Sequence, residues 1–320
     1  IIARRFGEGN HGRIGVIFQH GSIFVLILGL ILFSILYIFS DHLLLWLIDS
    51  PNIYDASLEY IKYRQFGIIF VCFNFLYRAL YVGISNTKVI TYSTIIMAVV
   101  NIFLDYCLIF GNFGFPEMGI GGAALASFCA EVSAFTFFTV YSYITLRNKD
   151  YGMFKLHRLE SELMGRILKL ATPTMIQKLF SFSVWFIFFI LIEKMGETAT
   201  GISSIVRSVY MILITPCFAF ATTTNTVVSR IIGEGHSDQV FSTINKILKN
   251  CLLCTIPIII LVAIFPIQIA RIYTDDLNLA QLVVPSIYVI CFGTIFQGIG
   301  NAYFEAVSGT GNTSAALYLE

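Results

Sequence analysis

The stretch Ser22-Ile-Phe-Val-Leu-Ile-Leu-Gly-Leu-Ile-Leu-Phe-Ser-Ile-Leu-Tyr-Ile-Phe39 decides the fold of this 320-residue chain. It contains no charged residue, and a helix that crosses a bilayer needs about 20 mostly apolar residues. The run is continuously apolar and does not alternate between apolar and polar residues, as a strand of a membrane barrel would. It therefore predicts a transmembrane helix.

The composition of the whole chain agrees with this stretch. Hydrophobic residues make up 57% and charged residues only 12%, whereas soluble domains carry about 25% charged residues. This composition excludes a soluble enzyme, and it excludes disorder, which requires low hydrophobicity. The formal net charge of +1 offers no basic field for a nucleic-acid partner. We therefore predict an integral membrane protein with an all-α fold.

Further apolar stretches follow along the chain, separated by short polar segments. The predicted spans cover residues 15–39, 58–82, 88–111, 119–146, 167–192, 200–229, 243–269 and 281–307, and a ninth begins at Asn312. Most Lys and Arg residues fall on the side that holds residue 1 and the 147–166 connection. Because positive charge collects on the cytoplasmic side, we expect both to be cytoplasmic in a multi-pass protein of the cell membrane.

A repeat is visible in two polar loops. The segment Arg4-Arg-Phe-Gly-Glu-Gly9 reappears as Arg230-Ile-Ile-Gly-Glu-Gly235, an offset of 226 residues. Without gaps, the same offset aligns Asn86-Thr87 with Asn312-Thr313. The equivalent spans lie an even number of helices apart, so they point the same way through the membrane. Parallel repeats of this kind are typical of transporters.

The repeat predicts two pseudo-symmetric helical bundles. We expect an N-terminal bundle over residues 1–146, a cytoplasmic connecting loop over 147–166 and a C-terminal bundle over 167–320. The equivalent bundles would flank a central cavity, as they do in other transporters with parallel repeats.

Enzymatic and metal-binding functions find little support in the sequence. The C-x-x-C pair Cys251 and Cys254 lies inside an apolar span and has no second pair or histidine cluster beside it. The intramembrane carboxylates Asp105, Glu131 and Glu305 stand alone, whereas a membrane-embedded enzyme would need acidic or histidine clusters. We expect no catalytic residue, no metal and no cofactor.

Two polar sets inside the spans are candidates for function, because ionisable groups in hydrocarbon are costly. Asn101 and Asp105 are four residues apart on one helix face, so an amide and a carboxylate can converge on one proton or Na⁺. The alternative is that Asp105 only meets water at the end of its span. Gln297, Asn301 and Glu305 form a second stripe, which faces either a cavity or neighbouring helices.

Buried cations are the third feature of the spans. Arg78 and Arg207 could balance Asp105 or Glu131, or their side chains could extend to the membrane interface.

Several stretches resemble the multidrug and toxin extrusion (MATE) transporters of a wider, flippase-like superfamily. The most specific is Asn101-Ile-Phe-Leu-Asp105, which leads into Gly119-Ile-Gly-Gly-Ala-Ala-Leu-Ala-Ser127. The Gly-Glu-Gly loops add to the resemblance, as does Gly83-Ile-Ser-Asn-Thr87 with its partner near Asn312. The resemblance extends over essentially the whole chain.

The resemblance implies a design of twelve helices in two six-helix lobes. In that register, the chain holds helices 3–6 of the first lobe, helices 7–10 of the second and the start of the eleventh, which makes eight complete helices of twelve.

The resemblance also assigns site residues. An Asn and an Asp at the spacing of Asn101 and Asp105 form the cation site of the first lobe, and Ser127 stands where many members have Thr. For the second lobe, some members carry an Asp in place of Gln297 and a Glu near Pro173. Gln177 and Ser181 occupy that neighbourhood here and would line the substrate cavity together with Gln297, Asn301 and Glu305.

The activity implied is secondary-active efflux of amphipathic, cationic, drug-like compounds in exchange for Na⁺ or H⁺. The transporter would work by alternating access, as a monomer within membrane lipid. The alternative is a flippase for a lipid-linked oligosaccharide or lipid, within the same superfamily. Flippases tend to line the cavity with several cations, and the spans offer only Arg78, Lys178 and Arg207.

Overall fold

The computed structural model of the chain describes residues 1–48, 50–146, 151–153, 155 and 157–319, so residues 147–150, 154 and 156 of the predicted connection lie outside the described residues. Every longer regular element in these ranges is an α-helix. The helices are α1 (Ile2–Gly7), α2 (Gly12–Leu47), α3 (Pro51–Arg64), α4 (Gly67–Gly83), α5 (Lys88–Phe110), α6 (Gly119–Leu146), α7 (Ser161–Glu193), α8 (Glu197–Gly233), α9 (Val240–Ile264), α10 (Pro266–Ala270), α11 (Leu277–Gly309) and α12 (Thr313–Leu319).

Long apolar helices dominate the fold. Among the described residues, seven helices are long and apolar enough to cross a membrane, namely α2, α5, α6, α7, α8, α9 and α11. The count rises to eight if the pair α3 and α4 forms one span. Since a bilayer offers no water to satisfy backbone groups, such helices belong in the membrane. The chain is therefore a multi-pass membrane protein.

The predicted span 58–82 differs from the structure. It is not one straight helix, because α3 ends at Arg64 and α4 begins at Gly67 at an angle of 55°. The prediction followed the apolar residues of α4 and overlooked how polar the preceding turns are. α3 carries Asp55, Glu59 and Lys62 besides Arg64, and so many charges do not suit the hydrocarbon core.

The offset of 226 residues recurs in the helix boundaries. The bent pair begins at Pro51 and ends at Gly83, and α11 begins at Leu277 and ends at Gly309. Both boundaries are shifted by the offset found in the sequence. The first of these two equivalent segments is broken into α3 and α4, whereas the second, α11, continues through Pro285 as a single helix.

The two Gly-Glu-Gly loops share one geometry at the ends of α1 and α8. The backbone N–H groups of Glu8 and Glu234 each donate to the carbonyl four residues earlier, at 2.9 Å. Gly9 and Gly235 follow with positive φ angles of +69° and +83°. Glycine adopts this left-handed conformation without steric cost, and it is the usual way to end a helix.

The chain divides into two compact units, Ile1–Met164 and Gly165–Glu320. In the first unit, α2, α4, α5 and α6 share a core in which aromatic rings of α4 pack on α6. Tyr77 stacks on Phe138 with ring centroids 5.4 Å apart, and the buried hydroxyl groups of Tyr81 and Ser142 are 2.7 Å apart. In the second unit, α8, α9 and α11 bury an aliphatic core that includes Leu213, Val262 and Ile287.

Close backbone packing joins α5 and α6 at Gly122. A Cβ atom at this position would lie 2.6 Å from the carbonyl oxygen of Leu108. We expect Gly122→Ala to destabilise the protein by about 1–3 kcal/mol, because backbone cannot move aside as a side chain does. Thermal unfolding of the purified protein measures this loss. Gly293→Ala is the matched control, since its Cβ would meet nothing within 4 Å, and an equal loss there would contradict the packing explanation.

Candidate functional site

Asn101 and Asp105 lie on one face of α5, as their spacing predicts. Both residues are half-buried. Asn101 Nδ2 and Asp105 Oδ1 are fully buried, and neither has a hydrogen-bond partner in the part of the chain that the structure describes. An unsatisfied buried polar group costs about 1–3 kcal/mol, so a proton or cation at Asp105 Oδ1 and a hydrogen-bond acceptor at Asn101 Nδ2 would be stabilised here.

Ser127 is the third residue predicted for this site. It is half-buried on α6, the helix that packs most closely on α5. Within the described ranges, no hydrogen bond joins Ser127 to Asn101 or Asp105. The structure thus brings the α5 pair onto one face and leaves Ser127 as a neighbour on the adjoining helix.

Glu131 is held by an arginine that the sequence did not suggest. Arg64, the last residue of α3, donates from Nη1 to Oε2 at 2.9 Å and from Nη2 to Oε1 at 2.6 Å. The backbone carbonyl of Glu131 also accepts a hydrogen bond from Asn74 Nδ2 on α4 at 3.1 Å. Glu131 is thereby fixed to both helices of the bent pair.

Gly67 makes room for this ion pair at the start of α4. A Cβ atom there would lie 2.5 Å from Arg64 Nη1 and 2.6 Å from Glu131 Oε2. The arginine, the carboxylate and the glycine therefore meet at the bend between α3 and α4.

Of the alternatives predicted for the buried cations, pairing of Arg78 or Arg207 with Glu131 is not what the structure shows. Arg64 is the partner of Glu131, and the suggested Arg78 and Arg207 have other contacts. Arg78 donates to Thr94 Oγ1 at 3.4 Å, and the Arg207 guanidinium lies 4.7 Å from the centroid of the Phe189 ring. Arg64 was not among the candidate partners, because the bend that brings it to α6 is not visible in the sequence.

The stripe on α11 faces α8 at two of its three positions. Gln297 Oε1 accepts a hydrogen bond from Tyr210 at 2.7 Å, although the side chain as a whole is exposed. Glu305 Oε2 accepts one from Asn225 Nδ2 at 2.9 Å. Between them, Asn301 Nδ2 is buried, and among the described residues it has no partner.

Gln177 and Ser181 lie one turn apart on α7. Gln177 is only 4% exposed, and its Nε2 finds no hydrogen-bond partner in the described part of the protein. The Ser181 hydroxyl donates to the Gln177 carbonyl at 3.1 Å. Four of the eight predicted site residues thus carry a buried polar atom that no other described residue satisfies, namely Asn101, Asp105, Gln177 and Asn301.

Sequence reasoning missed Tyr210 and Asn225, the partners of the α11 stripe. Tyr210 also stacks on Trp185, with ring centroids 5.9 Å apart, so an aromatic surface lies beside Gln297. The available signal was the presence of polar residues on the span that pairs with α11. Which polar residue meets which depends on helix rotation, which the sequence pattern does not specify.

Cysteine and histidine form no metal cluster within the described ranges. No group of three His, Cys, Asp or Glu side chains there could hold a metal ion. Cys251 is buried and Cys254 is exposed, so the two thiols of the C-x-x-C pair lie in different environments.

Within the described residues, long apolar helices that hold several unpartnered amides and one unpartnered carboxylate define a multi-pass helical membrane protein with polar sites in its spans. The sequence matches the MatE family over residues 1–107 and 173–320. Because these ranges make up more than half of the chain, the chain belongs to the MatE family of transporters.

Two curated relatives illustrate the similarity. The chain is 28% identical over 316 residues to the Thermotoga maritima protein named "Probable multidrug resistance protein NorM". This alignment covers 98% of the chain and 67% of that relative. It is 24% identical over 290 residues to "Multidrug resistance protein NorM" of Photobacterium profundum, covering 88% of the chain and 62% of the relative. The chain thus spans roughly two thirds of the length of these relatives.

Solved structures agree on the fold. An outward-facing multidrug resistance MATE transporter of the MOP superfamily superposes with a TM-score of 0.90 at 19% identity, over 99% of this chain and 70% of that one. A MOP superfamily transporter of Pyrococcus furiosus, described by a reversed polarity of its binding pocket, gives a TM-score of 0.89 at 19% identity, with the same coverage. At this identity, the likeness concerns the fold alone.

Proposed function

We propose that the full-length protein containing this chain is a secondary-active multidrug efflux transporter. It would export amphipathic, cationic compounds in exchange for Na⁺ or H⁺ by alternating access. The observation that carries the proposal is Asp105 on a transmembrane helix: its buried Oδ1 has no hydrogen-bond partner among the described residues, and Asn101 lies one turn away on the same face. Membership of the MatE family and the names of the NorM relatives support it.

Coupling follows from the chemistry of this pair. A carboxylate can take up a proton, and a carboxylate with an amide oxygen one turn away supplies hard oxygen ligands for Na⁺. Either event cancels the charge of Asp105 and satisfies its orphaned oxygen. An ion drives a conformational change only if it binds the inward-facing and outward-facing states with different affinity. Asp105 would be accessible from opposite sides in the two states, with Ser127 as an additional oxygen ligand.

The substrate cavity would draw on the second unit. We propose that Gln177, Ser181, Gln297, Asn301 and Glu305 contact substrate. Their side chains offer neutral hydrogen-bonding groups and one carboxylate, which suits weakly basic, amphipathic molecules better than anions. The Trp185 and Tyr210 rings beside Gln297 would add an aromatic surface for flat substrates.

The same proposal includes the arrangement of the whole transporter. It would have twelve helices in two lobes related by the 226-residue repeat, with residue 1 and the 147–166 connection on the cytoplasmic side. It would act as a monomer, with bilayer lipid and small-molecule substrates as its partners and no cofactor other than the coupling ion.

Transport by the full-length protein in proteoliposomes tests the proposal. A proton gradient and a Na⁺ gradient are imposed separately, and the movement of a cationic fluorescent dye is followed. We expect one of the two gradients to drive the dye against its own gradient, with the effect abolished by an ionophore for that ion. Dye movement that depends on neither gradient would refute ion-coupled efflux.

The flippase alternative predicts a different result in the same vesicles. Translocation of a labelled lipid-linked oligosaccharide, without dye transport, would favour it. Testing anionic dyes beside cationic ones is also informative, because this fold accommodates binding pockets of opposite polarity, as the Pyrococcus furiosus protein illustrates.

A further inference from the structure

The segment that leads into α7 is bound to the first turns of α2. The backbone N–H of Gly15 donates to the carbonyl of Tyr151 at 2.9 Å. Gln19 clamps the backbone of His157: its Nε2 donates to the His157 carbonyl at 2.9 Å, and its Oε1 accepts from the His157 N–H at 2.8 Å. The backbone N–H of Glu160 donates to Nε2 of His20 at 2.9 Å. We call the described residues 151–153, 155 and 157–160 the connecting segment.

His20 can make its contacts in only one protonation state. The side chain is fully buried at 0% exposure, and its Nδ1 lies 2.8 Å from the carbonyl oxygen of Val16. A carbonyl oxygen can only accept, so Nδ1 carries a proton. A backbone amide can only donate, so Nε2, which faces Glu160 N–H, carries none. The geometry therefore requires a neutral imidazole with its proton on Nδ1.

We propose that His20 is a pH-sensitive latch that holds the connecting segment on α2 only while its ring is neutral. Protonation of Nε2 would set two N–H groups against each other in a buried site, and the segment would detach to expose the cationic ring to water. The detached state binds one more proton than the docked state. By linkage, docking is therefore favoured at high pH and weakens as pH falls.

The charged groups around His20 do not remove the requirement for a neutral His20 ring in the docked state. Arg13 and His20 on α2 and His157 of the connecting segment all lie near the Glu160 carboxylate. Arg13 donates a hydrogen bond to the Glu160 carboxylate, and this contact lowers the pKa of that carboxyl group. Glu160 therefore stays ionised and paired with Arg13. From α4, Leu76 and Tyr77 pack on α2 near this level.

The other two histidines of this region are compatible with protonation. His157 Nε2 lies 2.9 Å from the carbonyl oxygen of Gly152, so it donates in both the neutral and the cationic form. His11 packs edge-on against Tyr151 with ring centroids 5.4 Å apart, and an aromatic neighbour tolerates a cation. His20 is thus the group whose protonation breaks a contact between α2 and the segment.

Detachment would act directly on α7. This helix begins at Ser161, the residue after Glu160. While the latch is closed, the backbone of the residue before α7 is hydrogen-bonded to α2, and once the latch opens this backbone hydrogen bond is lost. The inference rests on the contacts of His20 and holds whichever ion or substrate the transporter moves.

Hydrogen exchange of the full-length protein in detergent, from pH 8 to pH 5, tests the latch. The quantity measured is the protection factor, which corrects for the intrinsic pH dependence of exchange. We expect protection of amides 157–160 to fall as the pH is lowered, by at most about tenfold per pH unit. Peptides from α5 should keep their protection throughout. Constant protection of amides 157–160 across this range would overturn the proposal.

Two variants separate His20 from its neighbours. His20→Phe should give low protection of the segment at every pH, because the acceptor for Glu160 N–H is gone. Glu160→Gln keeps that backbone N–H while removing the carboxylate, so it should keep the pH dependence even if overall protection drops. A flat profile in Glu160→Gln, or a wild-type profile in His20→Phe, would contradict the latch.

Discussion

Asp105→Asn in the full-length transporter is expected to reduce ion-driven efflux to the level of vesicles that lack the protein. Asparagine keeps the size and hydrogen-bonding groups of the side chain, but it neither takes up a proton nor carries the charge that attracts Na⁺. The variant would then resemble the ion-loaded state permanently. The ion gradient could no longer shift the balance between the inward-facing and outward-facing states. Dye efflux from proteoliposomes under an imposed gradient measures the loss.

The control for this variant is Asp55→Asn. Asp55 lies exposed on α3, so the same chemical change there should leave efflux unchanged. Thermal unfolding of both variants distinguishes lost coupling from lost structure. Removing the charge of a half-buried carboxylate that has no partner in the described part of the chain should not destabilise the fold. Efflux by Asp105→Asn at the wild-type rate would exclude Asp105 as the coupling residue.

Arg64→Met is expected to destabilise the first unit by about 2–3 kcal/mol. Breaking a buried ion pair by removing one partner costs about 3–5 kcal/mol, since an uncompensated charge is left behind. We expect less here because the Arg64 side chain is 31% exposed, although that of Glu131 is only 12% exposed. Thermal or denaturant-induced unfolding of the purified protein gives the change in free energy.

A double variant and an exposed pair provide the controls. Arg64→Met combined with Glu131→Met removes both charges, so it should regain most of the stability lost in the single variant. Arg5→Met breaks the more exposed pair between Arg5 of α1 and Glu8, the residue after that helix, and we expect it to cost at most about 1 kcal/mol. If the double variant were as unstable as Arg64→Met alone, lost packing would explain the loss of stability, and the unpaired charge of Glu131 would not.

The sequence predicted the helices best where apolar runs end at glycine or at a charged residue. The spans expected at 88–111 and 119–146 appear as Lys88–Phe110 and Gly119–Leu146. The first ends before Gly111, which has a φ of +68°, and the second begins at Gly119, with a φ of +53°. Such boundaries are local, because the conformation of one residue decides them.

The bend before Gly67 could not be predicted in this way. It depends on Arg64 reaching Glu131, a residue 67 positions away in the chain. Hydropathy averages over a window of neighbouring residues and contains no information about such a partner. The charges of α3 were visible in the sequence, but they are equally compatible with an exposed loop.

In the candidate site, too, the sequence predicted contacts within one helix but not contacts between helices. A spacing of four residues was enough to place Asn101 and Asp105 on one helix face. The partners of Gln297 and Glu305 lie on α8, 87 and 80 residues away. Their identity follows from the rotation of α8 and α11 about their axes, which many apolar contacts determine together.

The ion pair at the bend has a consequence for how the protein is made. During synthesis, Arg64 leaves the ribosome well before Glu131, and insertion of a lone arginine into the middle of a bilayer costs about 2.5–3.5 kcal/mol. Until α6 arrives, α3 is better accommodated at the membrane surface or within the translocon than in lipid. Integration of the α3–α4 segment would then be completed only after α6 is synthesised, so that folding in the membrane follows a fixed order.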